Sequence, residues 1–152
     1  MDMPMPDASV LARRDRILAQ LAAVLPGDAL ISDPTETRAY ECDALTAYRC
    51  PPMAAVLPRT TEEVAAVLRI CHQERVPVVP RGSGTSLAGG ALPTADCVIL
   101  GIARMNGVLE TDYADRFIHV QTGRTNLSVT GAVESEGFFY APDPSSQLAC
   151  AI

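Results

Sequence analysis

No Cys-x-x-Cys pair occurs in the sequence, and its five cysteines, Cys42, Cys50, Cys71, Cys97 and Cys150, are odd in number. That pattern fits neither a disulfide framework nor a zinc site, and the thiols read as reduced and intracellular. The two histidines, His72 and His119, have no carboxylate or second histidine at ligand spacing, so each reads as a solvated or hydrogen-bonded side chain and no metal site is expected. Basic charge is also scarce. The formal net charge of −6 disfavours nucleic acid or an acidic membrane surface as a partner, because both reward clustered cations. A small anion stays open, since a backbone site depends on the local field. The start lacks a basic n-region and an apolar h-region, and no stretch approaches the ~18 consecutive apolar residues of a membrane span. The expected location is cytoplasmic.

The 152 residues suit one domain, and 48% of them are hydrophobic, which marks a globular chain. Residues 1–8 read as a frayed tail with two prolines. From Ser9, the residues Val10, Leu11, Ile17, Leu18, Leu21 and Leu25 recur near helical spacing, and Pro26-Gly27 stops that helix. A short helix over 35–44, capped by Asp33 or Thr35, carries Tyr40 and Asp43 with Tyr48 beyond it. These three are candidates for acid–base work or for packing. Residues 53–57 read as a buried strand. Thr60-Thr61-Glu62-Glu63 supplies a capping box ahead of Val64, Val67, Leu68 and Cys71, a helix ending near Arg75. With a strand at 76–79 this makes a βαβ unit. Residues 97–100 read as another buried strand, 108–111 and 117–121 as a hairpin, and 125–136 as a helix closed by Gly137 and weakened by Gly131.

The β-branched run 76–79 gives way to Pro80-Arg81-Gly82-Ser83-Gly84-Thr85-Ser86-Leu87-Ala88-Gly89-Gly90-Ala91. Glycines at 82, 84, 89 and 90 leave bare backbone, and successive N–H groups in turn conformations form a concave anion site. Ser83, Thr85 and Ser86 add hydroxyls and Arg81 a positive charge, which suits a diphosphate. A Walker loop would need Lys and Ser/Thr after the last glycine, and here Ala91-Leu92-Pro93 follows. The dinucleotide fingerprint would need glycine at Leu87 and a helix directly after, which Gly89-Gly90 and Pro93 oppose. The remaining alternative is a glycine-rich turn with no ligand. Downstream, Ala141-Pro142-Asp143-Pro144-Ser145-Ser146 is a stiff loop displaying a carboxylate and two hydroxyls, read either as a plain turn or as a second binding loop.

The segment 79–91 resembles the pyrophosphate-binding loop of FAD-linked oxidases of the vanillyl-alcohol oxidase and para-cresol methylhydroxylase (PCMH) type. Within them it is similar to the glycolate oxidase FAD-linked subunit and D-lactate dehydrogenase group. Residues 38–49 and 140–147 support the narrower likeness, and the resemblance runs from about Ile31 to the last residue. It implies an α+β fold, the N-terminal part of a PCMH-type FAD-binding domain, with a βαβ unit, a hairpin and packed helices. It divides the chain into an N-terminal helix and tail at 1–30 and an incomplete FAD-binding domain at 31–152. It implies FAD as cofactor, held non-covalently, because relatives that tether the flavin here use a histidine where this chain has Thr85.

The implied cofactor-binding residues are Arg81, Gly82, Ser83, Gly84, Thr85, Ser86, Gly89, Gly90 and Ala91, with Asp143, Pro144, Ser145 and Ser146 as a second flavin loop. The segment carrying Tyr40, Asp43 and Tyr48 is implied to approach the loop beneath the flavin. The implied activity is oxidation of a small 2-hydroxy acid, glycolate or D-lactate, with partner subunits of an oxidase complex. Relatives continue past Ile152 into a Gly-Gly-Asn segment and a substrate-binding cap that carries the metal-ligating histidines. No catalytic or metal-binding residue therefore carries over, and the chain by itself is expected to be a truncated, inactive fragment. The alternative is a stand-alone phosphate- or nucleotide-binding module without redox activity.

Overall fold

The computed structural model describes residues 3–152. Of the expected tail, residues 1 and 2 lie outside the described residues. The rest is tethered by Asp7, whose N–H donates to Asp96 Oδ2 at 2.9 Å and whose carboxylate caps helix α1 (Ala8–Leu11) through the Ser9 N–H. The helix expected from Ser9 to Leu25 is broken into α1 and α2 (Arg14–Val24). Arg13, at the break, turns to Glu74. Its Nη2 donates to the Glu74 carbonyl at 3.0 Å, and the Glu74 carboxylate also takes Arg16 Nη2 at 2.6 Å and Gln20 Nε2 at 3.1 Å. A buried carboxylate needs such partners, and here they pin α2 to the end of α4 (Thr61–Glu74).

Strand β1 (Leu30–Ile31) is followed by α3 (Pro34–Thr37) and a 3₁₀ turn over Arg38–Tyr40. Asp33 caps α3, accepting from the N–H groups of Thr35 at 2.8 Å and Glu36 at 3.3 Å. The expected helix stops short of Ala44 because the Cys42 carbonyl accepts from Arg81 and the Ala44 N–H donates to Gly84 O, both distant in the chain. Strand β2 (Ala54–Val56) precedes α4, whose cap Thr60 accepts from Glu63 N–H at 3.2 Å. Glu63 Oε2 in turn accepts from the N–H of Arg59 at 2.7 Å, one residue earlier than a capping box requires. Arg75 ends α4 in the left-handed conformation.

Strands β3 (Val78–Arg81) and β4 (Val98–Gly101) complete a four-stranded sheet of order β1-β2-β4-β3, with β2, β4 and β3 parallel. The strands of the βαβ unit are thus parallel, with β4 inserted between them. β4 is buried on both faces, as its unbroken apolar run requires. The core joins Val10, Ile17, Leu21 and Leu25 to Val56, Val67, Cys71 and Val98, so the N-terminal helices share one hydrophobic cluster with the sheet.

Strands β5 (Val108–Asp112) and β6 (Phe117–Val120) form the expected hairpin, with Asp112 Oδ1 holding its turn through the N–H groups of Ala114 and Asp115. Tyr113 packs on Phe138, ring centroids 5.3 Å apart. The expected helix 125–136 is shorter: α5 (Asn126–Gly131) stops at Gly131, a poor helix former, and a 3₁₀ turn over Glu134–Glu136 leads to Gly137 at φ +79°.

Candidate functional site

The loop after β3 leaves much of its backbone unpaired. The N–H groups of residues 83–87 make no hydrogen bond among the described residues; within 82–92 the turn is closed only by Ala88 N–H to Ser86 Oγ at 3.2 Å and Leu92 N–H to Gly89 O at 3.1 Å. Gly84 and Gly89 have φ of +71° and +78°, the left-handed region open to glycine, which bends those N–H groups into a concave row. Buried orphan N–H groups would be costly, but here Ser83, Thr85 and Leu87 are exposed and free to meet a ligand. The row opens onto a hollow of about 310 Å³ lined by Gly82, Ser83, Thr85, Ser86, Gly90 and Ala151.

The loop stands on the segment after α3. Ala44 N–H donates to Gly84 O at 3.0 Å. Arg81, expected to face an anion, turns underneath instead: Nη1 donates to Cys42 O at 2.7 Å and its guanidinium lies 5.8 Å from the Tyr40 ring centroid. A β-carbon on Gly84 would sit 2.5 Å from Arg81 Cζ, so the glycine is required by close approach as well as by φ. Arg81 has no carboxylate partner among the described residues, so its charge stays uncompensated below the nest. Asp43 is buried; its Oδ1 accepts from Leu45 N–H at 2.9 Å and its Oδ2 has no partner. Tyr48 lines a hollow behind the loop with Leu45, Ala88 and Gly89. Tyr40, beneath Arg81, and Tyr48, behind Ala88 and Gly89, therefore stand against the base of the loop, while Asp43 holds its own turn at Leu45.

The second expected loop is placed differently. Asp143, Pro144 and Ser145 are exposed, and none of residues 143–146 lines the hollow over the nest. Pro142 O accepts from Asn126 Nδ2 at 3.1 Å, and Ser146 O accepts from the N–H groups of Ala149 and Cys150 at 2.8 Å, so the loop feeds a turn. It is the next segment that reaches the nest: the Ser83 hydroxyl donates to Ala149 O, and Ala151 bridges antiparallel to Thr125.

A second hollow of about 370 Å³ opens beside Gly82 and Ser83, with Asn106, Arg124, Thr125 and Ser128 in its wall. Arg124 donates from Nη1 to Asn106 O at 3.0 Å and from Nη2 to Ser128 O at 2.8 Å, while its Nε is buried without a partner. Nothing local in the sequence marks these residues, because they meet the loop through pairings between distant segments, among them the Thr125–Ala151 bridge and the Ile152 N–H donating to Arg124 O at 3.0 Å.

Burial pushes the Cys71 and Cys97 thiols up to about 11, which keeps them protonated and inert. Cys50 is also raised, by burial first and by the charge of Asp96 second. Among the described residues no cluster of His, Cys, Asp and Glu could hold a metal, and no helix is long and apolar enough to cross a membrane.

A family model described as FAD binding domain matches residues 52–152. The glycolate oxidase subunit GlcD of Escherichia coli (strain K12) is 43% identical over 152 residues, 100% of this chain and 30% of its own length. A D-lactate dehydrogenase of Anaerostipes hadrus is 32% identical over 127 residues, 83% of this chain and 26% of its own. The solved structure of p-cresol methylhydroxylase with substrate bound superposes with a TM-score of 0.76 at 21% identity, covering 88% of this chain and 27% of that one. At that identity the likeness shows the fold, an α+β arrangement of the PCMH type. The chain spans about 30% of the length of the first of these curated relatives.

Proposed function

The chain belongs to the FAD binding domain family, and on that premise we propose that it is the N-terminal part of an FAD-linked oxidoreductase acting on a small 2-hydroxy acid, glycolate or D-lactate. The observation that carries the reading is the row of unpaired N–H groups at 83–87, bent around Gly84 at φ +71°. Such a row fits the diphosphate of FAD, whose oxygens accept several backbone hydrogen bonds at once. Two guanidiniums without carboxylate partners, Arg81 below and Arg124 beside, offset the charge of a dianion in a chain of net charge −6.

In this reading the N–H groups of 83–87 and the hydroxyls of Thr85 and Ser86 bind the diphosphate. Gly82, Gly84, Gly89, Gly90 and Ala91 keep the approach clear. Arg81 and Tyr40 hold the loop in shape, and Ser83 ties it to the segment at Ala149. Asp143, Pro144, Ser145 and Ser146 are proposed as a second flavin loop. Bound FAD supplies the two-electron acceptor that a 2-hydroxy acid needs to become a 2-oxo acid. The chain's own share is to bind and orient. The cofactor is held non-covalently, since Thr85 offers no nucleophile comparable to a histidine. We further propose that residues 31–152 are an incomplete FAD-binding domain preceded by a helical segment at 1–30, that the whole protein works with partner subunits in the cytoplasm, and that neither nucleic acid nor a membrane span is involved.

The test is spectroscopic. The purified whole protein should show oxidised-flavin absorbance that bleaches anaerobically on adding glycolate or D-lactate. A colourless protein would reject the cofactor assignment, and a yellow protein unmoved by either acid would reject the substrate class.

A further inference from the structure

The two halves of the glycine loop are held differently. Cys42 O and Ala44 N–H meet Arg81 and Gly84 in the upstream half. The downstream half, 88–92, has its own turn from Leu92 N–H to Gly89 O and a long contact from Arg81 Nη1 to Ala91 O at 3.5 Å. Behind it lies a hollow of about 300 Å³. Met3 and Pro4 line that hollow together with Ala88, Gly89 and Leu92 of the loop and Leu45 and Tyr48 of its support, so the N-terminal segment runs along the back of the loop. It is clipped there. The Asp7 N–H donates at 2.9 Å to the carboxylate of Asp96, a buried residue 89 positions away that leads from the loop into β4. A charged acceptor makes that bond stronger than an ordinary amide pair. The run Met3-Pro4-Met5-Pro6 also loses little entropy when held in place, because each proline already fixes its own φ.

Resting on the reading of 83–87 as a diphosphate nest, we propose that Met3–Asp7 is a strap that positions this nest from behind. Residues 88–92 lead directly out of the N–H row, so the direction in which 83–87 point depends on where that leg is held. The strap is the outer wall of the hollow behind the leg. Without it, Leu45, Ala88 and Leu92 would meet water across the hollow, and the leg would be free to move back into that space. The strap acts through the loop, as a positioning element. By linkage, a ligand that orders the loop also tightens the strap.

Deleting residues 2–6 from the whole protein tests this, since Asp7 and the helix it caps remain. The truncated apoprotein should bind FAD about fivefold more weakly, the result for a loop shaped to receive it about a fifth of the time. Titration followed by flavin fluorescence reads that change. Hydrogen exchange in the apoprotein reads the loop without any ligand. The amides of Ala88 and Leu92, both bonded within the loop, should lose protection, while those of Ile99 and Leu100 in β4 keep theirs. The melting temperature should stay at the parent's value, which a merely structural role would not allow. FAD affinity and exchange both at parent values would overturn the strap, and either change without the other would overturn its coupling to the nest. A lower melting temperature with exchange raised throughout β4 would make the segment a plain stabiliser and overturn the positioning role. If the parent itself holds no FAD, the nest reading fails, and protection at Ala88 and Leu92 still decides whether the segment braces the loop.

Discussion

Gly84→Val probes the loop where its conformation is most constrained. A β-carbon there would press on Arg81 Nη2 and lie 2.5 Å from Cζ and 2.9 Å from Nε. The guanidinium cannot simply withdraw, because Nη1 is bonded to Cys42 O at 2.7 Å and the group rests over Tyr40. Holding an L-residue in the left-handed region costs about 1–2 kcal/mol, and a β-branched one sits at the upper end. Displacing the charged hydrogen bond costs about 1.5–3 kcal/mol. The sum of about 3–5 kcal/mol lowers the melting temperature of a domain this size by about 6–20 °C, leaving it folded at room temperature. In an Arg81→Ala background the clash is gone, and valine adds only the backbone strain, about 2–8 °C. Thermal unfolding followed by circular dichroism on the single and double variants reads the difference. An equal drop in both backgrounds would refute the Arg81 contact as the cause. In the whole protein Gly84→Val should also abolish FAD retention while the fold persists, and unchanged flavin content would mean the loop is only a turn.

Other consequences are as direct. Acid precipitation of the whole flavoprotein should release the flavin into the supernatant; colour that stays with the denatured polypeptide would contradict the assignment of Thr85. Glu74 has its carboxyl lowered from 4.5, chiefly by the Arg16 hydrogen bond, so its stabilising contribution is present above pH 4.5 and lost as pH falls through the lower folded value. Melting temperature should therefore decline below about pH 4.5, and Glu74→Gln should flatten that decline; a variant that tracks the parent's profile removes the network from the account. The 152-residue chain alone should bind FAD no more tightly than about 1 μM, because an open groove in water gains little from its hydrogen bonds while binding still costs translational and rotational freedom. It should not reduce a dye with glycolate or D-lactate. Submicromolar FAD binding, measured by flavin fluorescence, or any such turnover would show that the described residues suffice.

The elements legible in the sequence were those whose causes are local. The α4 helix follows from Thr60 and the apolar spacing of Val64, Val67 and Cys71, the hairpin from two β-branched runs around an Asp-rich turn, and the nest from glycines that only a backbone-lined loop would need. Where local signals were weak, tertiary contacts prevailed. The first helix broke at Arg13, whose side chain reaches Glu74 from 61 residues away, and the helix expected over 35–44 ended early where residues 42 and 44 bond to Arg81 and Gly84. The insertion of β4 between β2 and β3 has no local mark either, since any of the three buried strands could occupy the centre by composition. The same holds for the groove. Sequence alone determined that a bare, glycine-rich backbone follows β3, because φ and side-chain absence are properties of single residues. Only the tertiary structure decided that Arg81 lies beneath that backbone, that Arg124 and Asn106 stand beside it, and that residues 149–151 rather than 143–146 close against it, because those contacts depend on the Ala151–Thr125 bridge and on pairings between segments distant in the chain.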